Sequence, residues 1–289
     1  MDERAALARL AESVPGAGDD AAVVGDLVVT TDMLHATTDF PDGTTRYTAG
    51  WRAVGASLSD VAAMGADPLA AVAAYGAPAI EWADIEPFVA GASAVCEAAG
   101  ADYVGGDLDS HGEFTVASTA VGRAEAPVTR GGATPGEVVC VTGTLGRSGA
   151  ALQLFEAGDA DRGNALFRFQ PRVGAGRALA GHATAMMDSS DGLARSLHQL
   201  AEAGDCGFAI ETPLPLDDAV DAVASGEEDR LELGAFFGED FELVCTLPEE
   251  RLSQARDAVP CELTPVGTVT DSGVTLDGDP LPDRGYTHG

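Results

Sequence analysis

The chain has 289 residues, 45% of them hydrophobic, with 47 acidic side chains against 16 basic ones and a net charge of -31. That length and apolar content suffice for two domains with real cores, while the charge, offset by no basic block, excludes nucleic acid and anionic membranes as partners. Every basic residue is Arg, Lys is absent and Asn occurs once, at Asn164; such a surface is expected of a halophilic, high-salt cytoplasm, where counterions screen the self-repulsion.

No run of eighteen apolar residues occurs, and the charged, amphipathic start "MDERAALARLAESV" lacks a signal-peptide pattern, so a cytoplasmic protein is expected. A first helix is expected over about Glu3 to Val14, where Leu7, Leu10 and Val14 recur at helical spacing. Next comes "GAGDDAAVV", in which Asp19 and Asp20 stand side by side with nothing basic near them in sequence. Something more distant must neutralise them. Strands are expected at "AAVVG" and "DLVVTTDML". "TRYTAGWRAVGASLSDVAAMGA" then reads as a long helix whose small residues let neighbours pack closely. A strand at "LAAVAAYG", a helix from about Ile85 to Ala99, and strands at "DYVGG" and "FTVASTAVG" follow.

"RAEAPVTRGGATPGE", rich in Pro, Gly and Ala, divides the chain into an α+β domain, 1–128, and an α/β domain, 129–289. The second half restarts at "VVCVTGTLG" and alternates strand and helix through "AMMDSSDGL", "ARSLHQLAEAG", "GFAIE", "FELVCTL" and "LTPVGTV". The five cysteines are widely spaced without a CxxC, which suggests neither a disulfide framework nor a zinc site.

On so acidic a chain a lone Asp is first of all a solvated surface group. Acids set among Gly, Ala and apolar residues stand apart: Asp19 and Asp20 in "GDDAA", Asp32 in "VVTTDML", Asp60 in "LSDVAAMGA", Asp107 in "YVGGDLDS", and Asp188 and Asp191 in "AMMDSSDGL". If several converge they need cations, because two unit charges about 4 Å apart repel by about 4 kcal/mol at an effective dielectric near 20. Carboxylates with Thr30, Thr31, Ser189 and Ser190 beside them suit a hard ion such as Mg2+. Such clusters most often handle phosphates, and the usual P-loop is impossible without Lys. Phosphates would then rest on metal, Arg and Gly-lined amides: "GGD" at Gly105 to Asp107, and "TGTLGRSGAAL", which enters a helix whose N-terminus favours anions. Structural turns explain these glycines equally well. Arg130 is a candidate phosphate or nucleotide clamp, or else a surface ion pair. The histidines are scattered, with no Ser-His-Asp or Cys-His arrangement.

With "GDDAA", "TTDML", "SDVAAMGADP", "GGD", "TRGGATPGE", "DSSDGL" and "GEDFEL" in this order, the chain resembles the thiamine-monophosphate kinases of the PurM-like ATP-binding superfamily, nearly end to end. Its "GYTHG" ending stands where that family commonly has GYDHF. The resemblance implies a PurM-like two-domain fold, with ATP and metal binding and dimerisation in the first domain. It also implies ATP- and Mg2+-dependent phosphorylation of thiamine monophosphate to thiamine diphosphate, with several Mg2+ ions, in a homodimer whose N-terminal domains pair into a barrel-like sheet. Carried over by motif, Asp20, Thr30, Thr31, Asp32, Asp60, Asp107, Asp188 and Asp191 hold metal, Gly106, Asp107, Arg130 and Ser190 contact ATP, and Glu239 faces the thiamine substrate. The acceptor's phosphate oxygen is already anionic, so no general base is assigned; metal ions relieve the repulsion between the two anions. The sequence departs from the family at Asp39, where a substrate-contacting His is usual, and at Asp283, where a substrate-stacking aromatic is. Both departures fall in the acceptor pocket.

Other superfamily enzymes with a different small-molecule acceptor are the nearest alternatives. The selenide enzyme uses an early Cys, but the first here is Cys96; the hydrogenase factor uses a C-terminal Cys, and this chain ends "GYTHG"; the aminoimidazole synthetase lacks "DSSDGL" and "GEDFEL". A non-enzymatic acidic cation-binding protein is the alternative from another class. Its acids would scatter over polar helix faces, as in "GEEDRLE".

Overall fold

The computed structural model describes residues 9–10, 13–14 and 16–285. The helix expected over about Glu3 to Val14, and the ending beyond Gly285, lie almost wholly outside them. Among the described residues no helix is long and apolar enough to cross a membrane.

The first half forms a five-stranded sheet in the order β1-β2-β5-β3-β4. Its strands are β1 (Ala22–Val24), β2 (Leu27–His35), β3 (Asp67–Ala77), β4 (Asp102–Ser110) and β5 (Thr115–Arg123). β3 and β4 run parallel, so their link must cross over, and helix α2 (Trp82–Ala99) makes that crossing beside α1 (Arg46–Ala63). α1 starts at Thr45, whose hydroxyl accepts from the Thr48 N–H. The small residues of both helices let their backbones nearly touch: a Cβ on Gly91 would lie 1.9 Å from the Tyr47 carbonyl oxygen. Val54, Leu58 and Val61 of α1 and Phe88 and Val95 of α2 pack with Val28, Tyr75 and Val116 into one core, each burial worth about 1.5–3 kcal/mol. Only one face of the sheet is covered in this way. The other carries Met33 and Val72, 58% and 36% exposed.

The second half forms a seven-stranded sheet, β12-β11-β8-β10-β6-β9-β7. β6 (Val138–Thr142), β7 (Ala185–Asp188), β9 (Leu243–Leu247) and β10 (Leu263–Thr270) pair antiparallel, while β8 (Gly207–Ile210) and β11 (Gly273–Leu276) are parallel. The short β12 (Asp279–Pro280) closes the edge. Helix α3 (Arg147–Glu156) follows β6, then α4 (Ala160–Phe167), α5 (Val173–Leu179) and, after β7, α6 (Leu193–Gly204). Leu193, Leu197 and Leu200 of α6 pack under the sheet with Val139, Phe208 and Val244.

The two halves join through α1. Its last turn buries Ala62 and Ala63 with Val173 and Leu179 of α5 and Met186 of β7. The approach is tight enough that a Cβ on Gly176 would meet the Ala62 carbonyl oxygen at 2.0 Å. α1 is therefore held from both sides, and whatever it presents is fixed relative to both sheets.

Candidate active site

Alternation along β2 sets the first part of the site, because successive side chains leave a strand on opposite faces. Thr30 and Asp32 face α1: the Thr30 hydroxyl donates to Asp60 Oδ2 at 2.5 Å, and the Ser57 hydroxyl donates to Asp32 Oδ2 at 2.6 Å. Ser57 and Asp60 are three apart on the helix and so share a face. Asp188 arrives from the other half, at the end of β7, and Asp20 from the loop before β1. One carboxylate oxygen from each of Asp20, Asp60 and Asp188 lies within 4.8 Å of the others.

The electrostatics of this cluster are unfavourable as it stands. Burial, then repulsion from Asp32, Asp188 and Asp20, holds the Asp60 carboxyl well above its ordinary pKa. Asp188 is raised in the same way by burial and by Asp20, and its Oδ2 has no hydrogen-bond partner. Asp32 is raised by burial and, in smaller part, by Glu239 and Asp20, against the Ser57 hydrogen bond. Arg130 supplies the counter-charge that Asp19 and Asp20 lacked in sequence. Its Nη2 donates to Asp20 Oδ1 at 2.8 Å, and its backbone N–H donates to Asp19 Oδ2 at 3.2 Å. Burial works against the Arg130 charge, but Asp20 outweighs it and the guanidinium is held above its ordinary value. One guanidinium cannot offset three converging carboxylates. The arrangement fits a hard cation: oxygen donors only, an orphaned buried carboxylate oxygen, and mutual repulsion that a divalent charge removes.

Other expected site residues lie elsewhere. Thr31, next to Thr30, points to the opposite face, where its hydroxyl donates to the Ser118 carbonyl. Asp107 shares that outer face: the row Met33, Ala117, Ala74, Asp107 runs straight across four strands. There it lines a cavity of about 300 Å³ with His35, Asp109 and His111. Gly106 falls in the row of Asp32, Ser118 and Ala73, on the cluster's face, but three strand spacings, roughly 14 Å, from Asp32. Asp191 is half-buried in the loop after β7, and the Ser190 carbonyl there accepts from the Glu239 N–H at 2.6 Å. Asp39 is buried in its own turn, its Oδ2 accepting from the His35 N–H and the Thr38 hydroxyl, each at 2.7 Å. Asp283 pairs with Arg195 at 3.0 Å.

The N-terminus of α3, expected to receive an external anion, already holds one from the chain. Asp240 accepts from the Gly146 N–H at 2.6 Å and the Ser148 N–H at 2.9 Å. Burial pushes its pKa up to about 7 against those two donors. Beside it, Glu242 is gripped by Arg172 through two nitrogens and by the Thr142 hydroxyl. The loop between these acids and Gly238 is strained, with Glu239 at φ 63° and Phe241 at φ 54°. It is zipped to the "DSSDGL" loop by Glu239 N–H to Ser190 O and Phe241 N–H to Ser189 O. Arg52, in the middle of α1, is fully buried and ion-pairs with Glu239 at 2.5 Å. Sequence reasoning passed over Arg52, Arg172, Asp240 and Glu242. For Asp240 and Glu242 the available signal was their place in "GEDFEL"; for the two arginines there was none, because an Arg in a helix reads as a surface charge.

Comparison with known proteins agrees with the two-sheet division. The model of the AIR synthase related protein N-terminal domain matches residues 18–124, and that of the corresponding C-terminal domain matches residues 134–278. The thiamine-monophosphate kinase of Halobacterium salinarum is 62% identical over 291 residues, covering 100% of both chains. The thiamine-monophosphate kinase of Methanospirillum hungatei is 43% identical, covering 93% of this chain and 92% of its own. Among solved structures, AaThiL complexed with AMPPCP and TMP superposes with a TM-score of 0.91 at 28% identity, over 100% of this chain and 97% of that one.

Proposed function

This chain belongs to the thiamine-monophosphate kinase family within the AIR synthase related proteins, and we propose that its buried carboxylate cluster is the magnesium site on which that activity depends. The enzyme transfers the γ-phosphoryl group of ATP to the phosphate of thiamine monophosphate, giving thiamine diphosphate. The observation that carries the metal assignment is Asp188: it is 1% exposed, has an unpartnered Oδ2, and lies within ligand reach of Asp20 and Asp60.

In this reading Asp20, Asp60 and Asp188 would hold Mg2+, with Asp32 beside them and Asp191 on the adjoining loop. Bound there, the metal would supply positive charge between the ATP triphosphate and the phosphate monoester of the acceptor. The chain's own contribution is placement. Thr30 and Ser57 orient the carboxylates of Asp60 and Asp32 by direct hydrogen bonds. Arg130, already held by Asp20, would meet the nucleotide phosphates, with Ser190 close to the same loop. Glu239 would face the thiamine moiety. No side chain is needed as a general base, because the acceptor oxygen already carries charge.

The uncovered face of the first sheet, with Met33, Val72, Ala74 and Ala117, is assigned to a second copy of the chain. This makes residues 1–128 the pairing half and 129–289 the half that completes each site. Sedimentation showing a monomer at micromolar concentration would overturn that assignment. The net charge of -31 without Lys suits a salt-filled cytoplasm, where we place the enzyme.

The deciding assay offers ATP and Mg2+ in high KCl with thiamine monophosphate, free thiamine and an aminoimidazole precursor in parallel. Thiamine diphosphate formed from the monophosphate alone, lost with EDTA and regained with Mg2+, is the expected result. Turnover indifferent to chelation would remove the metal assignment.

A further inference from the structure

Arg52 stands in the middle of α1 with its side chain 1% exposed, and its guanidinium reaches into the second half of the molecule. Nη1 donates to the Phe167 carbonyl at 2.5 Å and to the Ser148 hydroxyl at 3.3 Å. Nη2 donates to the Glu239 carboxylate at 2.5 Å and to its carbonyl at 3.3 Å. The Phe167 ring lies 3.6 Å from the guanidinium carbon, with Phe169 and Phe241 farther out. The cation is thus fixed in its plane and holds Glu239 at both its backbone and its side chain.

We propose that Arg52 is a positioning residue for the acceptor side of the reaction: it latches the Glu239 carboxylate at a fixed distance from the metal-facing surface of α1. This rests on the reading that Glu239 faces the thiamine moiety. Three observations carry it. Arg52 shares α1 with Ser57 and Asp60, so one rigid helix sets both the latch and a metal ligand. The Glu239 N–H donates to the Ser190 carbonyl at 2.6 Å, so the latched residue is tied to the loop that directly follows Asp188 of the cluster. The Glu239 backbone is left-handed at φ 63°, two residues before Phe241 at φ 54°, a conformation that persists only when neighbours over-determine it. Ser148 adds to the hold by donating to the Glu239 carbonyl at 2.6 Å. A purely structural role is a poor account of this arginine, since an apolar side chain fills a buried site without the desolvation cost of a guanidinium. Nor is the guanidinium fully satisfied, since Nε has no partner.

The test compares Arg52→Met, Arg52→Lys, Glu239→Gln and the double variant Arg52→Met/Glu239→Gln, with KM for thiamine monophosphate and for ATP measured separately and thermal melting alongside. Arg52→Met should raise KM for thiamine monophosphate about ten- to a hundredfold, the range that losing a charge-assisted hydrogen bond covers. KM for ATP should move less than about threefold. Arg52→Lys, which keeps the charge and loses the fork, should fall between wild type and Met. It also keeps the test open if the Met variant does not fold. The double variant should be no worse than the poorer single one, because both changes remove one interaction. A lower melting temperature with an unchanged KM for the acceptor would overturn the latch. So would additive effects, or ATP and acceptor KM rising together. If Glu239→Gln is silent, the acceptor assignment of Glu239 fails and the latch with it. If Glu239→Gln is impaired while the Arg52 variants are silent, the latch alone fails.

Discussion

Two pairs of acids in this molecule are withdrawn from solvent into opposite surroundings. Asp240 and Glu242 are each 4% exposed and fully engaged by the chain: two backbone N–H groups at the start of α3 for the first, Arg172 and the Thr142 hydroxyl for the second. Asp188 is 1% exposed and half-buried Asp60 lies beside it, yet they face each other and Asp20, with one guanidinium among them and an orphaned oxygen. A buried carboxylate that the fold satisfies is holding the fold together. One that the fold leaves in mutual repulsion is kept for something that arrives later.

The largest expected effect separates the two pairs by activity. Asp60→Asn removes a ligand without removing volume, so transfer should fall by roughly a thousandfold or more. The melting temperature in chelator should be equal to or above that of wild type, because a repelling charge has gone. Steady-state assays beside calorimetry would show this, and near-normal turnover would erase the distinction between the pairs.

Glu242→Ala is the converse. It strands the half-buried Arg172 guanidinium, 23% exposed, and the Thr142 hydroxyl, a loss of about 1.5–3 kcal/mol, below the cost of breaking a fully buried pair. Urea unfolding should register that loss, while the kcat of the folded fraction stays within about threefold. A collapse of kcat at intact stability would move Glu242 into the functional pair.

A pH series sharpens the same contrast. In the native state Asp60 and Asp188 are raised well above their ordinary value and Asp240 lies at about 7, whereas unfolded aspartates titrate near 3.9. The chelated native protein therefore binds more protons than the unfolded chain between those values. The stability these three acids contribute is fully present below the unfolded pKa and is lost as pH rises through their native values. Mg2+ binds the deprotonated cluster, so the melting temperature gained on adding it should grow with pH from 5 to 8 by several degrees, on the order set by ligand linkage. A gain that is flat with pH would mean that the ion binds away from these carboxylates.

Much of this was legible in the sequence because it is local. The strands at "AAVVG", "DLVVTTDML" and "FTVASTAVG" and the helix through "SDVAAMGA" follow from β-propensity and small-residue packing, and their structural counterparts are β1, β2, β5 and α1. "GEEDRLE", read as a polar helix face, contains the short helix Glu227–Leu231, whereas α4 and the short helix Asp218–Val223 were not anticipated. Asp218–Val223, "DAVDAV", is short and acidic, which on a chain with 47 acids reads as solvated loop; α4, "ADRGNALF", carries a mid-helix Gly that lowers its helix propensity. In the candidate site, acids lodged among small apolar residues were conspicuous. Their partners were not, since Arg130 lies 110 residues from Asp20 and Arg52 lies 187 from Glu239. Only the folded path brings such pairs together.

The smallest expected effect probes whether the face of a strand decides role. Thr30 and Thr31 are consecutive, equally polar, and both were expected to hold metal. In the folded sheet Thr30 is buried and donates to Asp60, while exposed Thr31 donates to the Ser118 carbonyl on the far side. Valine matches threonine in shape and suits a strand, so each substitution deletes a hydroxyl and little else. Thr30→Val leaves Asp60 Oδ2 without its donor, a loss of about 1–3 kcal/mol in orienting a charged group, and should lower kcat/KM by about ten- to a hundredfold. Thr31→Val removes the bond to the Ser118 carbonyl and the longer one accepted from the Thr119 hydroxyl at 3.2 Å, together about 0.5–1.5 kcal/mol at this exposed position. It should change melting by a degree or two and leave kcat/KM within about twofold. If Thr31→Val instead matched Thr30→Val in kcat/KM, the outer face would belong to the reaction. Asp107, in the neighbouring row of that face, would then return to the site by way of a second copy of the chain.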